Sequence, residues 1–179
     1  QPNRNRLLWR DKSVDGLKTG KTNAAGYCLV ASAKRRDMRL ISVVLGAKSD
    51  EVRAQESQRL LSYGFRYFDT QTVYSAGEIL KSNAKLWFGV DEFLNLTIPE
   101  DVTLTFPRGS EKNFQANILV HEVIKAPIKA GQELGSLQVK LDDNILINVP
   151  LVAKKDIEKA GIFARLVDWI ILFFTDLLS

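Results

Sequence analysis

The stretch Val14-Asp15-Gly16-Leu17-Lys18-Thr19-Gly20-Lys21-Thr22 decides how the rest of the chain is interpreted. At its centre a lysine, a threonine and a glycine stand in a row. A lysine presents a compact positive charge, and a glycine in a strand leaves room for another backbone to come close. The same three residues also suit a solvated turn before a strand. The surrounding sequence therefore has to distinguish a binding strand from a turn.

The residues around this triplet predict three antiparallel strands. The triplet lies on the first strand, and a turn of small residues separates it from an apolar run at 27–33. A charged turn follows, and residues 38–45 are rich in β-branched and apolar side chains, which predicts the third strand. The segment 3–9 before the triplet is predicted to be a loop or an extended segment.

A helix over 51–68 is predicted next, with Ser49 or Asp50 as its N-cap. Its apolar residues fall on one stripe that is expected to pack against the sheet. The predicted stripe consists of Val52, Leu60, Leu61, Phe65 and Phe68. The residues expected mostly outside it are Arg53, Gln55, Glu56 and Arg59.

The chain changes character after residue 71. From 73 to 152 the sequence predicts no helix, and short runs alternate between apolar and polar residues, as in Val102, Leu104 and Phe106. Asp142-Asp143-Asn144 is predicted to be the tip of a hairpin. This region is expected to form a second, small all-β domain.

The last segment, 162–179, predicts an amphipathic helix in a membrane interface. Its apolar arc is wider than a surface helix needs, yet it is too short and too charged to span a bilayer about 30 Å thick. The residues expected to contact the membrane are Phe163, Leu166, Trp169, Ile170, Phe173, Phe174 and Leu177. Lys154, Lys155 and Lys159 are expected to add a weak attraction to anionic lipid. A helix docked on the β domain or on a partner is the alternative.

Composition excludes several other classes of protein. The 179 residues carry a net charge of +4, and the basic residues are scattered, so nucleic acid is not an expected partner. One cysteine and one histidine allow neither an internal disulfide nor a zinc cluster. We therefore expect no metal site.

Together these segments resemble the low-molecular-mass penicillin-binding proteins, which are serine-type D-alanyl-D-alanine carboxypeptidases of the bacterial periplasm. The resemblance is carried by Asp15-Gly16-Leu17-Lys18-Thr19-Gly20, by Leu29-Val30-Ala31-Ser32-Ala33 and by Tyr63-Gly64-Phe65-Arg66-Tyr67-Phe68. The order and spacing of these motifs, the β domain and the C-terminal helix agree with it, and it covers the whole chain.

The resemblance implies removal of the terminal D-alanine from peptidoglycan stem peptides through a serine acyl-enzyme, without a metal or cofactor. β-Lactam antibiotics would acylate the same serine. By position, Lys18 would hold the terminal carboxylate of the substrate, Thr19 would donate a hydrogen bond and Gly20 would give clearance. Arg4 and Arg53 would lie near the carboxylate-binding end, with an ordinary surface ion pair as the alternative for each.

The chain departs from the family pattern in one important respect. The Ser-x-x-Lys and Ser-x-Asn motifs should precede the triplet, and neither is present there. The formal match Ser82-Asn83-Ala84-Lys85 follows the triplet and is interpreted as coincidence. Lys21 stands where the family often has histidine. We therefore expect the C-terminal portion of such an enzyme, with no catalytic residue of its own and no turnover when isolated.

The expected architecture is α+β. Residues 1–71 are expected to form part of a β-lactamase/transpeptidase-like domain of antiparallel strands plus a helix, with one apolar face of its sheet uncovered. Residues 72–153 form the small all-β sandwich domain, and 154–179 form a linker and the membrane-anchor helix. The resemblance places the protein at the periplasmic face of the inner membrane. The alternative is a non-catalytic, membrane-attached β module that binds cell wall or a partner protein.

Overall fold

A computed structural model describes residues 3–178, with side chains described for residues 3–175. The chain divides into two compact units. Unit 1 contains the residues up to Gln71 together with Thr105–Glu111, and unit 2 contains Thr72–Leu104 and the residues from Lys112 onward. The predicted α+β class is confirmed.

The secondary structure is mainly β. The helices are α1 (Leu7–Arg10), α2 (Asp50–Tyr67) and α3 (Ile162–Leu178), with a 3₁₀ turn at Glu111–Asn113. The strands are β1 (Val14–Thr22), β2 (Gly26–Arg35), β3 (Met38–Ala47), β4 (Phe68–Tyr74), β5 (Ile79–Trp87), β6 (Phe93–Thr97), β7 (Val102–Pro107), β8 (Phe114–Val120), β9 (Ile124–Lys125), β10 (Glu133–Leu141) and β11 (Asn144–Ala153).

The three strands β1, β2 and β3 form an antiparallel sheet in sequence order, as predicted. The prediction of a loop or extended segment over 3–9 was wrong at residues 7–9, which lie in α1. The side chain of Asn5 accepts a hydrogen bond from the Leu7 backbone N–H at 3.1 Å, and Leu7 is fully buried. Four residues are too few to show helical periodicity, so this turn depends on burial and on Asn5.

Helix α2 begins after Ser49, whose Oγ accepts a hydrogen bond from the Val52 backbone N–H, as expected of an N-cap. The predicted apolar stripe is partly wrong, because Leu60 is exposed. The prediction that Arg53 lies outside the packed face is also wrong, since Arg53 is only 4% exposed. The buried face consists of Arg53, Ala54, Ser57, Leu61 and Phe65.

One face of the three-stranded sheet packs against a core that includes Leu61 and Phe65 of α2. The apolar side chains of Ile41, Val43 and Leu45 are 55–71% exposed. These three residues alternate along β3, so they share the other face of the sheet. The expected uncovered apolar face is therefore present in unit 1.

Unit 2 contains a six-stranded sheet in the order β8-β10-β11-β6-β5-β9. Its pairs are antiparallel except for β5 and β9, which run parallel. The predicted hairpin tip joins β10 to β11, and Asp142 adopts a φ of 53° there. The predicted alternation along β7 is confirmed, because Val102, Leu104 and Phe106 are buried. Strands β4 and β7 form a separate two-stranded sheet.

Candidate functional site

The Lys18-Thr19-Gly20 triplet lies on β1, at the edge of the three-stranded sheet. In the described part of the chain β1 pairs with β2 alone, so its other side offers unpaired backbone groups. Side chains alternate along a strand, which puts Lys18 and Thr19 on opposite faces of β1. A ligand that lies along the edge can therefore meet both.

Lys18 is exposed, and its Nζ donates a hydrogen bond to the backbone carbonyl of Thr19 at 2.8 Å. No carboxylate among the described residues lies within ion-pair distance of this ammonium group. A compact cation whose described partner is a neutral carbonyl group is available to an incoming carboxylate.

Arg53 is the buried centre of the site. Its guanidinium donates hydrogen bonds to the backbone carbonyls of Gly20 and Cys28, both at 3.2 Å, and to that of Arg4 at 3.3 Å. It also forms an ion pair with Asp50, one turn earlier on α2. These contacts tie the edge strand, its neighbour, the helix and the N-terminal segment to one side chain. The rigid fork of donors on arginine suits this arrangement, and a lysine could not supply it.

A cavity of about 380 Å³ opens beside Arg53. It is lined by Asn3, Arg4, Arg6, Thr19, Gly20, Lys21, Tyr27, Asp50 and Arg53. The structure thus brings together four of the five residues predicted to bind substrate, namely Arg4, Thr19, Gly20 and Arg53. Lys18, the fifth, is not part of the lining.

The acidic groups beside this cavity are already paired. Asp50 forms ion pairs with Arg6 and Arg53. Hydrogen bonds from the Arg10 guanidinium to Glu51, both at 2.7 Å, lower the pKa of this carboxyl to about 2. Both carboxylates are therefore engaged with arginines.

The remaining positive charges at the cavity have no such partner. In the described part of the chain neither Arg4 nor Lys21 forms an ion pair. The Lys21 ammonium lies 4.5 Å from the centroid of the Tyr27 ring. The net result is a positively charged recess that suits a small anion.

Sequence reasoning missed several members of this recess, among them Tyr27 and Asp50. Tyr27 reads as an ordinary strand residue, and Asp50 reads as a helix-capping residue. The i, i+3 spacing of Asp50 and Arg53 was a signal that these side chains could meet on α2. Nothing local indicates that Gly20, Cys28 and Arg4 contribute carbonyl groups.

The formal Ser-x-x-Lys match lies on β5, away from the triplet in sequence. Lys85 donates a hydrogen bond to Glu92 at 2.8 Å, and its ammonium lies 5.0 Å from the centroid of the Trp87 ring. Lys85 is therefore engaged on the strand with an acidic and an aromatic partner.

Helix α3 carries a second functional candidate, its exposed apolar surface. The most exposed of the predicted membrane-contacting residues is Phe163, at 87%. The others with exposed side chains are Leu166, Trp169, Ile170, Phe173 and Phe174. Leu177, the seventh, lies outside the described side chains. The polar residue Asp168 is partly buried, and its carboxylate accepts a hydrogen bond from the Phe88 backbone N–H at 2.6 Å.

Helix α3 thus presents its apolar residues to solvent, while Asp168 contacts the Phe88 backbone in the rest of unit 2. Among the described residues, no helix combines the length and apolar character needed to cross a membrane.

Comparison with known families supports the sequence resemblance. Residues 68–159 match the family described as penicillin-binding protein 5, C-terminal domain. Residues 1–49 match the family described as D-alanyl-D-alanine carboxypeptidase.

Individual relatives show the same similarity. D-alanyl-D-alanine carboxypeptidase DacC of Escherichia coli is 44% identical over 176 residues, which cover 97% of this chain and 44% of that protein. DacA of E. coli is 40% identical, over 97% of this chain and 43% of that protein. The chain therefore spans less than half the length of these curated relatives.

Solved structures also resemble the fold. The crystal structure of penicillin-binding protein 5 from Haemophilus influenzae matches with a TM-score of 0.79 and 36% identity, over 89% of this chain and 47% of that one. The D-alanyl-D-alanine carboxypeptidase DacD from Francisella tularensis matches with a TM-score of 0.61 and 35% identity, over 89% of this chain and 40% of that one.

Proposed function

The chain belongs to the low-molecular-mass penicillin-binding D-alanyl-D-alanine carboxypeptidases and corresponds to their C-terminal portion, and on this basis we propose that it supplies the carboxylate-binding half of such an active site. The whole enzyme removes the terminal D-alanine from peptidoglycan pentapeptides. A serine attacks the peptide carbonyl, D-alanine leaves, and water hydrolyses the acyl-enzyme. β-Lactams acylate the same serine.

One observation carries this proposal, namely that the triplet occupies an unpaired strand edge between uncompensated cations. The backbone of a peptide substrate can add to such an edge as an extra strand. At position 20 a Cβ would meet only the Cys28 Cβ, at an ordinary 3.8 Å. The packing of the described chain therefore does not itself demand glycine, and the open space suits a ligand.

Each residue then has a distinct role. The Lys18 ammonium attracts the terminal carboxylate, and the Thr19 hydroxyl donates a hydrogen bond to the substrate. Arg4 adds positive charge at the neighbouring recess, which Thr19 and Gly20 line. Arg53 is a positioning residue, because its guanidinium is committed to the carbonyls of Gly20, Cys28 and Arg4.

The nucleophile belongs to the rest of the enzyme. The uncovered apolar face formed by Ile41, Val43 and Leu45 is where that part packs. Burying such side chains contributes about 1.5–3 kcal/mol each to the free energy of association. This face therefore favours assembly of the chain with the rest of the enzyme. The 179-residue chain alone therefore has a binding strand without a reactive serine.

The isolated chain is expected to form no adduct with a fluorescent penicillin and to release no D-alanine from a D-Ala-D-Ala peptide. The reason is that, among the described residues, no serine is paired with a lysine beside β1. Gel fluorescence and intact-mass spectrometry of the labelled chain check this, with a relative such as E. coli DacC as the positive control. A stoichiometric penicillin adduct on the isolated chain would refute the proposal.

The same portion attaches the enzyme to the periplasmic face of the inner membrane through α3. The helix exposes its apolar residues and contacts the rest of unit 2 through Asp168. An amphipathic helix of this kind buries its apolar side about 5–10 Å into the interface between headgroups and acyl chains.

A further inference from the structure

A groove of about 550 Å³ lies where the first turns of α3 meet the β strands of unit 2. Three basic side chains line it, Lys125, Lys159 and Arg165. Apolar groups, including Phe88, Leu166 and Trp169, line the rest. The sequence had suggested only Lys159 of these three cations as a contact for lipid.

Backbone contacts fix the positions of the residues that carry these cations. Lys125 on β9 is paired with Trp87 at the end of β5. Lys159 forms an isolated bridge with Gly89, two residues further along the chain. Helix α3, which carries Arg165, is joined to Phe88 by the hydrogen bond to Asp168. The residues that carry the three cations thus lie around the segment 87–89.

The described side chains give the groove a net positive charge. None of its three cations forms an ion pair with the described residues, whereas Lys155 is paired with Asp91 at 2.6 Å and Lys129 with Asp156 at 3.6 Å. The acidic side chain of α3 beside the groove, Asp168, accepts a hydrogen bond from the backbone instead. The three cations of the groove thus outnumber this one carboxylate.

The groove also has an apolar wall that continues onto the exposed surface of α3. Trp169 and Leu166 line the groove, and their side chains are more than half exposed. A free inorganic anion would use the cations but gain nothing from this wall. An amphiphile with an anionic head and apolar chains uses both.

We propose that this groove binds the phosphate headgroup of an anionic phospholipid, with the acyl chains lying along Leu166 and Trp169. The proposal rests on the membrane attachment proposed above, because the groove meets lipid only when α3 lies in the interface. It adds a selectivity for lipid charge to an attachment that is otherwise hydrophobic.

The test compares flotation of the full chain with vesicles of pure phosphatidylcholine and with vesicles that contain phosphatidylglycerol. Each basic residue close to an anionic surface contributes about 1 kcal/mol, or roughly fivefold in affinity. The triple variant K125Q/K159Q/R165Q is therefore expected to bind the phosphatidylglycerol vesicles about 100-fold more weakly. Its binding to phosphatidylcholine is expected to match that of the parent chain.

The matched control is K81Q/K112Q/K140Q, which removes the same charge from three lysines of unit 2 that do not line the groove. Its binding to phosphatidylglycerol vesicles is expected to fall less than threefold. Equal losses of binding in the two triple variants would overturn the groove proposal, since total charge would then explain the effect. Circular dichroism confirms that each variant retains its fold.

Two further comparisons distinguish a lipid headgroup from free phosphate, and the groove proposal from membrane attachment itself. Inorganic phosphate is expected to displace the chain no better than chloride of the same ionic strength, and stronger displacement would overturn the choice of a lipid. If the parent chain binds both kinds of vesicle equally, the groove proposal fails while membrane attachment stands. If it binds neither, membrane attachment itself fails, and the groove proposal fails with it.

Discussion

Replacing Phe163, Trp169 and Phe173 with serine is expected to abolish binding of the chain to phosphatidylcholine vesicles. These aromatic side chains are 87%, 58% and 53% exposed, so more than half of each is available to lipid. Burying an aromatic or aliphatic side chain contributes about 1.5–3 kcal/mol. Three such losses lower the partition coefficient by on the order of 10³ or more, which a vesicle flotation assay measures directly.

The control for this variant removes three exposed aromatic residues of unit 1, Trp9, Tyr63 and Tyr67. Serine at those positions is expected to leave vesicle binding unchanged. Vesicles of neutral phosphatidylcholine measure the hydrophobic contribution to binding alone, because basic residues gain no attraction to an anionic headgroup. Vesicle binding of the α3 variant at the level of the parent chain would show that α3 is not the membrane anchor.

Replacing Arg53 with alanine is expected to destabilise unit 1 by about 1.5–3 kcal/mol, the usual contribution of hydrogen bonds to a charged group. The substitution leaves Asp50 without one of its two arginine partners, and it leaves the carbonyls of Gly20, Cys28 and Arg4 without this donor. Lysine at position 53 keeps the charge but lacks the guanidinium fork, so it restores only part of the loss. Amide hydrogen exchange of β1 and β2 reports this local stability.

Arg59 provides the matched control on the same helix. Its side chain is 74% exposed and pairs with Glu56 at the same i, i+3 spacing. Alanine at position 59 is expected to cost no more than about 0.5 kcal/mol, as is usual for exposed helical ion pairs. Unchanged protection of β1 in the Arg53→Ala variant would contradict the role of Arg53 as the group that holds the edge strand.

The strands of this protein are predictable because their signals are local. Alternation along Val102, Leu104 and Phe106 marks a buried face without reference to any other segment. The hairpin at Asp142 follows from turn chemistry in the same way. The uncovered face of β3 could also be anticipated, because three strands and one helix leave half of a sheet without a partner.

The sequence-based predictions fail where residues that are distant in the sequence meet in the fold. A charged residue such as Arg53 is normally assigned to the solvated face of a helix, yet here it is buried because backbone carbonyls from three other segments satisfy it. Leu60 shows the converse error, since an apolar residue at the margin of the stripe points into solvent. The groove cations Lys125 and Arg165 are 40 positions apart, and only the folded chain brings them together.

The central claim is that Lys18-Thr19-Gly20 is a carboxylate-binding strand that lacks its nucleophile. The most direct test is D-alanine release by a chimera that places the part of E. coli DacC outside the matched segment in front of residues 1–179. The chimera is expected to release D-alanine from a D-Ala-D-Ala peptide. Alanine at Lys18 is expected to lower kcat/KM by about 10²–10³, the usual effect of losing one electrostatic contact in an active site.

Alanine at the exposed Lys12 in the same chimera is the control and is expected to leave kcat/KM unchanged. The predicted pattern is therefore an active chimera, an active Lys12 variant and a Lys18 variant with at least a 100-fold loss. A Lys18→Ala chimera that releases D-alanine as fast as the parent chimera would contradict the assignment of the triplet.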